Sequence, residues 1–434
     1  MSTSGASPRD DLLREARDEA TWFVPGRVEV LGKHTDYAGG RSLLAAVDRG
    51  HTVAARASGN DILRVTSTLA HETIEIPLDR PEQREVPGGG HWSGYIRTVV
   101  DRLRANFPAM LRGADIRIES DLPLAAGMSS SSALVTGVAL ALIDLAGIGA
   151  TDVFRREVTD RESLAEYLGC VENGQSFGAL EGHRGVGTFG GSEDHVAMLC
   201  GREGRLVQYS FSPVRCEQDV AVPDDRVLVV AVSGVEAQKT GAAMERYNRV
   251  SRSAADIVQL WNRDTGHADA NLGSVAARGP DAVERARALV RGEGYLVGRL
   301  EQFLSESEQI IPAAVAALGA GDLEQFGSLV DLSQQHAEEG LGNQVPETVG
   351  LQRLAREMGA DAASAFGAGF GGSVWAMVPA DGADRFAADW LDAYADRFPA
   401  TANAATWLVT RPGAPARRCD GGPMESVTRA EGTA

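Results

Sequence analysis

Between residues 114 and 145 the chain reads ADIRIESDLPLAAGMSSSSALVTGVALALIDL, and this stretch restricts the fold more than any other. Its first part alternates apolar and polar residues, the period-2 signature of a half-buried strand. A turn with Pro and Gly follows, then four serines, and over 128–145 the pattern is that of a buried helix. A helix apolar on all sides has to be enclosed by other elements. The apolar run is cut by Asp144 and is too short to span a bilayer. At 43% hydrophobic residues the chain has the material for the core this helix needs.

The remaining segments mix strands and helices without a regular βαβ alternation, which predicts an α+β fold. A helix is expected over 10–20, and WFVPGRVEVLG reads as a strand with a Pro-Gly entry. SLLAAVDRGHTVAARAS and ILRVTST have the alternating, β-branched look of further strands. HWSGYIRTVVDRLRANF has helical spacing, with Tyr95, Val99 and Leu103 on one face. RVLVVAVSG opens a second unit, followed by helices at ERYNRVSRSAADIVQLW, LVGRLEQFLSESEQIIPAAVAAL, LEQFGSLVDLSQQHAEE and ETVGLQRLAREMG. ASAFGAGFGGSVWAMV, an amphipathic helix DRFAADWLDAYADRF and a last strand TWLVTR complete it. At 434 residues two domains are expected. We place them at 1–222 and 223–434, divided in the polar, Pro-bearing PVRCEQDVAVPDD.

Composition removes several classes of function. A formal charge of −18 argues against a nucleic-acid binder, which needs a basic face. Cys170, Cys200, Cys216 and Cys419 are scattered with no CxxC, so reduced thiols are expected rather than a zinc site or a disulfide framework. The N-terminal residues are charged and lack the apolar core of a secretory signal. The expectation is a soluble, cytoplasmic protein with no membrane partner.

Three glycine-bearing segments invite a phosphate reading. PGRVEVLGKHTDYAGG places a lysine after a glycine, but a Walker A loop needs four residues between its glycines and a Ser or Thr after the lysine. Here five residues separate Gly26 from Gly32, and His34 follows Lys33, so it is not a P-loop. Gly367, Gly369 and Gly372 satisfy GxGxxG, but they lie near the C-terminus instead of at the first strand of a βαβ unit. A tight strand-to-strand turn is the expectation there. PLAAGMSSSSAL is different, because successive backbone N–H groups at a helix N-terminus bind anions and the helix dipole adds to the effect. One serine would be a helix cap; four after a glycine turn point to phosphate held by Gly127, Ser129, Ser130, Ser131 and Ser132.

Together these segments resemble the GHMP kinases, and within them the galactokinase family, whose pattern is GRxNxIGEHTDYNxG, PxGxGLSSSxxL and GxGxGG. The counterparts GRVEVLGKHTDYAGG, PLAAGMSSSSAL and GAGFGGSV occur in that order, from Arg27 to about residue 378. The resemblance implies a ribosomal-S5-like N-terminal domain, a ferredoxin-like C-terminal domain, ATP on the serine loop and a sugar between the domains. It places the catalytic arginine at Arg27 and the catalytic aspartate at Asp194, in GGSEDH. Sugar contacts fall on Asp36, His34, Tyr247 in ERYNR, and Lys33. Mg²⁺ falls on Ser131 and on an upstream acid, Glu172, with Glu181 as the alternative because the intervening segment GALEGHRGVG is lengthened. The implied reaction is ATP-dependent phosphorylation of the anomeric hydroxyl of galactose or a related hexose. Phosphoryl transfer demands positioning and charge neutralisation, which Asp194 and Arg27 can supply.

The first motif departs from the pattern at Lys33, where the family has Glu, and at Ala38, where it has Asn. An ammonium in place of a carboxylate reverses charge and hydrogen-bonding role. Two readings follow. Lys33 turns outward or pairs with an acid such as Glu29, and galactose remains the substrate; or Lys33 binds the carboxylate of a uronic acid. A catalytically silent sugar and ATP sensor is the alternative of another class. Monomer and homo-oligomer stay open.

Overall fold

The computed structural model describes residues 18–79, 91–123, 127–235 and 241–419. Strands β1 (Glu19–Leu31) and β2 (Arg41–Ala57) form a long antiparallel pair whose register shifts between Pro25 and Arg27 and again between Glu29 and Leu31. Such irregularities re-aim side chains, and here they flank Arg27 and Glu29. The strands β3 (Ile62–Ser67), β4 (Glu72–Pro77), β5 (Ala114–Ser120), β6 (Arg205–Ser210) and β7 (Arg215–Ala221) join the same sheet. Its order is β12-β1-β2-β5-β3-β4, with β6 on β2 and β7 on β6, and β12 is the two-residue strand Arg417–Arg418 near the end of the chain.

The helix expected over 10–20 lies outside the described residues up to residue 17, and its end is corrected. Glu19 and Ala20 open β1, paired with Arg56 and Ala55. A ladder partner outweighs the local helix preference of Ala and Glu there.

The inner face of this sheet is covered by α1 (Trp92–Asn106), α2 (Ser130–Ala146), α4 (Arg161–Asn173) and α5 (Glu193–Cys200), with the short α3 (Asp152–Glu157) between α2 and α4. Every residue of α2 from Ser132 to Ala146 is buried, as its all-apolar pattern required. Gly137 lets α2 approach β2, since a Cβ there would lie 2.6 Å from Val53 Cγ2. Asp144, the acid that interrupts the run, is met by Arg418 of β12 at 2.9 Å.

A second sheet of β8 (Arg226–Val232), β9 (Ala362–Phe366), β10 (Ser373–Pro379) and β11 (Thr406–Thr410) runs β11-β8-β10-β9, entirely antiparallel. The unbroken apolar run of β8 follows from burial on both faces. Leu228, Val230 and Val232 face the core shared with the first sheet, while Val227, Val229 and Ala231 face α12 (Pro346–Glu357) and α13 (Ala383–Arg397). GAGFGG is a tight turn, joining β9 to β10.

Helices α6 (Gly241–Thr265), α7 (Leu272–Ala276), α8 (Pro280–Val290) and α9 (Gly294–Ser305) pack around Ala38 of the first motif. The long helix expected after residue 296 runs on without a break in helical backbone, but it contains a π segment. A π-turn, Glu306–Ile310, separates α9 from α10 (Ile311–Gly319), and a second, Ala337–Leu341, ends α11 (Leu323–His336). The first brings Glu306 inward, where its carboxylate accepts from the Gly32 N–H at 2.8 Å and from Ser333 Oγ at 2.9 Å. Such bulges are frequent at functional sites.

Candidate active site

Arg27 and Asp194 stand 167 residues apart in sequence and form a partly buried ion pair. Nε and Nη2 of Arg27 both lie 2.7 Å from Asp194 Oδ1. The other guanidinium nitrogen, Nη1, donates to the Gly127 carbonyl on the turn before α2. Asp194 Oδ2 accepts from Ser129 Oγ at 2.5 Å and from Ser132 Oγ at 3.2 Å. The carboxylate is therefore held on both oxygens, by a cation on one and two hydroxyls on the other. Burial alone would pull the Arg27 pKa down; Asp194, Glu193 and Glu29 around it push it up instead.

Around this pair the wall of a cleft carries Glu29, His34, Asp36, Tyr37, Glu172, Glu193 and Tyr247, with Gly190 and Gly191 on one side and Gly367 and Ala368 on the other. His34 has φ 60°, a left-handed conformation rare for a non-glycine residue. Its Nε2–H donates to the Ala368 carbonyl at 3.2 Å, which leaves Nδ1 to accept from the Tyr37 hydroxyl at 2.8 Å. The ring lies 5.4 Å from that of Tyr247. Asp36 accepts from the Glu193 N–H at 3.2 Å, and burial pushes its carboxyl up to about 6. Burial likewise raises Glu29 to about 7, against the pull of Lys33 and Arg27, and raises Glu193 and the Tyr247 hydroxyl. The β9–β10 turn closes the cleft, with the Gly367 N–H 3.3 Å from Glu29 Oε2.

A model of the galactokinase galactose-binding signature matches residues 13–57, the GHMP kinase N-terminal domain matches 94–201, and the GHMP kinase C-terminal domain matches 314–396. The galactokinase of Chloroflexus aurantiacus is 31% identical over 391 residues, covering 86% of this chain and 87% of the relative. The chain belongs to the galactokinase family. It is a galactokinase-like sugar kinase of the GHMP superfamily, with that superfamily's two-domain α+β fold. The Haemophilus influenzae galactokinase is 27% identical over 380 residues, covering 84% of this chain and 87% of the relative. In solved structures the fold matches that of Lactococcus lactis galactokinase complexed with galactose, at TM-score 0.74 and 22% identity over 94% of this chain and 96% of that one. The L. major mevalonate kinase in complex with R-mevalonate shares the fold at TM-score 0.54, with 16% identity over 93% and 99% of the two chains.

In this galactokinase-family chain, Arg27, His34, Asp36, Glu172, Asp194 and Tyr247 all line one cleft. Lys33 does not. Its side chain is turned inward and buried, and Nζ lies 3.3 Å from Ser333 Oγ while its charge helps to keep Glu29 ionised. Of the serines read as phosphate ligands, Ser129 and Ser132 direct their hydroxyls at Asp194, and Ser130 Oγ lies 3.1 Å from His51 Nε2. Ser131 stands half-exposed at the start of α2, and Gly127 takes φ 65°. Residues 124–126 of the serine loop lie outside those described. Glu181 is exposed and absent from the cleft wall, where Glu172 is present.

Sequence reasoning missed Glu29 and Glu193 as cleft residues. Glu29 was within reach, since it lies two positions beyond Arg27 on one strand, where alternate residues share a face. Glu193 carried no signal of its own, because which side of α5 faces the cleft depends on packing. The four cysteines are free thiols, no group of three or more potential metal ligands occurs among the described residues, and no helix there is long and apolar enough to cross a membrane.

Proposed function

We propose that this chain transfers the γ-phosphoryl group of ATP to the anomeric C1 hydroxyl of galactose or a closely related neutral hexose. The Arg27–Asp194 pair carries the reading, because it joins the sugar cleft to the serine turn through Ser129, Ser132 and Gly127. Asp194, with its oxygens fixed, orients the sugar hydroxyl and takes up its proton. Arg27 offsets charge on the transferring group. Asp36, His34 and Tyr247 hold the sugar, whose hydroxyls meet acceptors and donors on the cleft wall. The α2 N-terminus, with the Gly127 turn and the backbone of Ser129–Ser132, is the proposed seat of the ATP phosphates.

Mg²⁺ would neutralise the phosphates, held by Ser131 Oγ and Glu172. Both are hard oxygen donors of the kind it prefers. Ser131 stands half-exposed at the start of α2, and among the described residues Glu172 Oε2 is buried and accepts no hydrogen bond, with His195 Nε2 at 3.4 Å. The division at 222 falls between β7 and β8, where the chain leaves one sheet for the other, although β12 returns to the first. Cytoplasmic location is part of the same proposal.

A uronic acid is not favoured, since Lys33 is away from the cleft and Glu29, Asp36 and Glu193 would repel a carboxylate. Sugar-dependent ADP release, measured over a panel of neutral hexoses and abolished by Asp194→Asn, tests the proposal. ADP release with none of them would refute the reading and leave a non-catalytic sensor as its replacement.

A further inference from the structure

The loop between β1 and β2 carries His34 and Asp36, and its backbone is held by α9 and the π-turn that follows it. Arg299 Nη2 donates to the His34 carbonyl at 2.6 Å, and Gln302 Nε2 donates to the Lys33 carbonyl at 3.1 Å. At the two ends of the loop, the Gly32 N–H donates to Glu306 Oε1 at 2.8 Å and the Arg41 N–H to Ser307 Oγ at 3.1 Å. Residues 299, 302, 306 and 307 recur at the spacing of one helix face, and all four are buried. One face of this helix therefore meets four backbone groups of the sugar loop, each at least 265 residues away in sequence.

Arg299 is the member of this set that stability does not explain. It is 0% exposed, its Nη1 donates to Gln302 Oε1 at 2.6 Å, and no carboxylate among the described residues forms an ion pair with it. A buried cation without a counter-charge is costly, and an apolar side chain of similar volume would fill the space without that penalty. What the guanidinium adds is a charge-assisted hydrogen bond to a single carbonyl. That carbonyl belongs to His34, the residue with φ 60°. A left-handed non-glycine residue persists only where its surroundings over-determine it. Behind the loop Arg299 fixes the His34 backbone; in front, the ring stands in the cleft wall between the Ala368 carbonyl and the Tyr37 hydroxyl.

We propose that Arg299, supported by Gln302, is a positioning residue of the sugar site, holding the His34 backbone in the conformation that presents the imidazole to the cleft. Arg299 is not itself in the cleft wall, so it acts on the sugar through His34. The inference rests on the sugar-kinase reading above and deepens it by naming what aligns the sugar loop. The side-chain hydrogen bonds of Arg299 and Gln302 run to that loop and between the two residues, and none reaches a described residue of the serine turn. The effect therefore falls on sugar affinity and not on ATP.

Steady-state kinetics, with galactose and ATP varied in turn, and calorimetric titration with galactose would be run on the full chain, with folding checked by thermal melting. Arg299→Met should raise the galactose KM and Kd about tenfold, the loss of one hydrogen bond from a charged donor, with the ATP KM changed less than about threefold. Arg299→Lys keeps a cationic donor and should recover a large part of the loss. Gln302→Met should raise the galactose KM about threefold, and it decides the question if Arg299→Met does not fold. Arg418→Ala, weakened at a remote ion pair, is the control and should keep the wild-type galactose KM. An unchanged galactose KM in the deciding variant, a parallel rise in the ATP KM, or an equal rise in Arg418→Ala overturns the inference and leaves the kinase reading standing. Galactose binding without ADP release, still weakened in Arg299→Met, has the opposite meaning: the positioning role stands and the kinase reading falls. Neither binding nor turnover of any neutral hexose by the wild type refutes both.

Discussion

Ser132→Ala separates two roles for the serine turn. If the Ser132 hydroxyl serves the phosphates, its loss raises the KM for ATP and leaves kcat nearly intact. The structure directs it instead at Asp194 Oδ2, at 3.2 Å, from a fully buried position. The contacts on the Asp194 carboxylate include two from Arg27 at 2.7 Å, one from Ser129 at 2.5 Å and this one. Hydrogen bonds to charged groups contribute about 1.5–3 kcal/mol. This is the longest of the four, and the Asp194 side chain is 20% exposed, so water can replace part of it. The lower end of that range applies, about 1.5 kcal/mol, or roughly a tenfold fall in kcat. Steady-state kinetics with ATP and sugar varied in turn should show that fall with the ATP KM changed less than about threefold. A tenfold rise in the ATP KM with kcat preserved would refute the assignment and return Ser132 to the phosphate site.

On the proposed role of Arg27 as the cation facing the transferring group, Arg27→Ala should lower kcat by about a hundred- to a thousandfold, read by ADP release. Gly191→Ala should raise the sugar KM at least tenfold with a smaller change in the ATP KM, since a Cβ there would overlap the Asp36 carboxylate. Arg418→Ala removes a cation 2.9 Å from the buried Asp144 carboxylate and should cost about 3 kcal/mol in urea unfolding, with Asp144→Asn combined with Arg418→Met recovering most of it. Glu29 is raised to about 7 in the folded chain, so its contribution to stability is full below about pH 4 and is lost as pH climbs through 7. On the order of 3 kcal/mol is at stake, and Glu29→Gln should gain melting temperature relative to the wild type between pH 5 and pH 8. An equal pH dependence in both proteins would contradict the raised pKa.

Much of the framework was legible in the chain itself. The alternating strands of the first motif, the buried helix behind the serines and the turn in GAGFGG all follow from periodicity and turn residues that are neighbours in sequence. The helix expected over 10–20 gave way at Glu19 and Ala20 because a strand partner lay more than thirty residues away, at Ala55 and Arg56. The long helix after 296 carries a π turn at Glu306, whose carboxylate meets the Gly32 N–H and Ser333 Oγ, and no local pattern announces it.

The sequence by itself determined the two-domain α+β class, the family, and the motifs holding Arg27 and Asp194, since each depends on short runs of residues whose spacing is local. Tertiary structure decided where side chains point. Register shifts in β1 turn Arg27 and Glu29 into the cleft, whereas Lys33 goes to Ser333. The turn of α2 gives two serines to Asp194, and α5 presents Glu193 to Glu29. Burial then fixes the chemistry, because removing water from three carboxyls in one wall raises their pKa values.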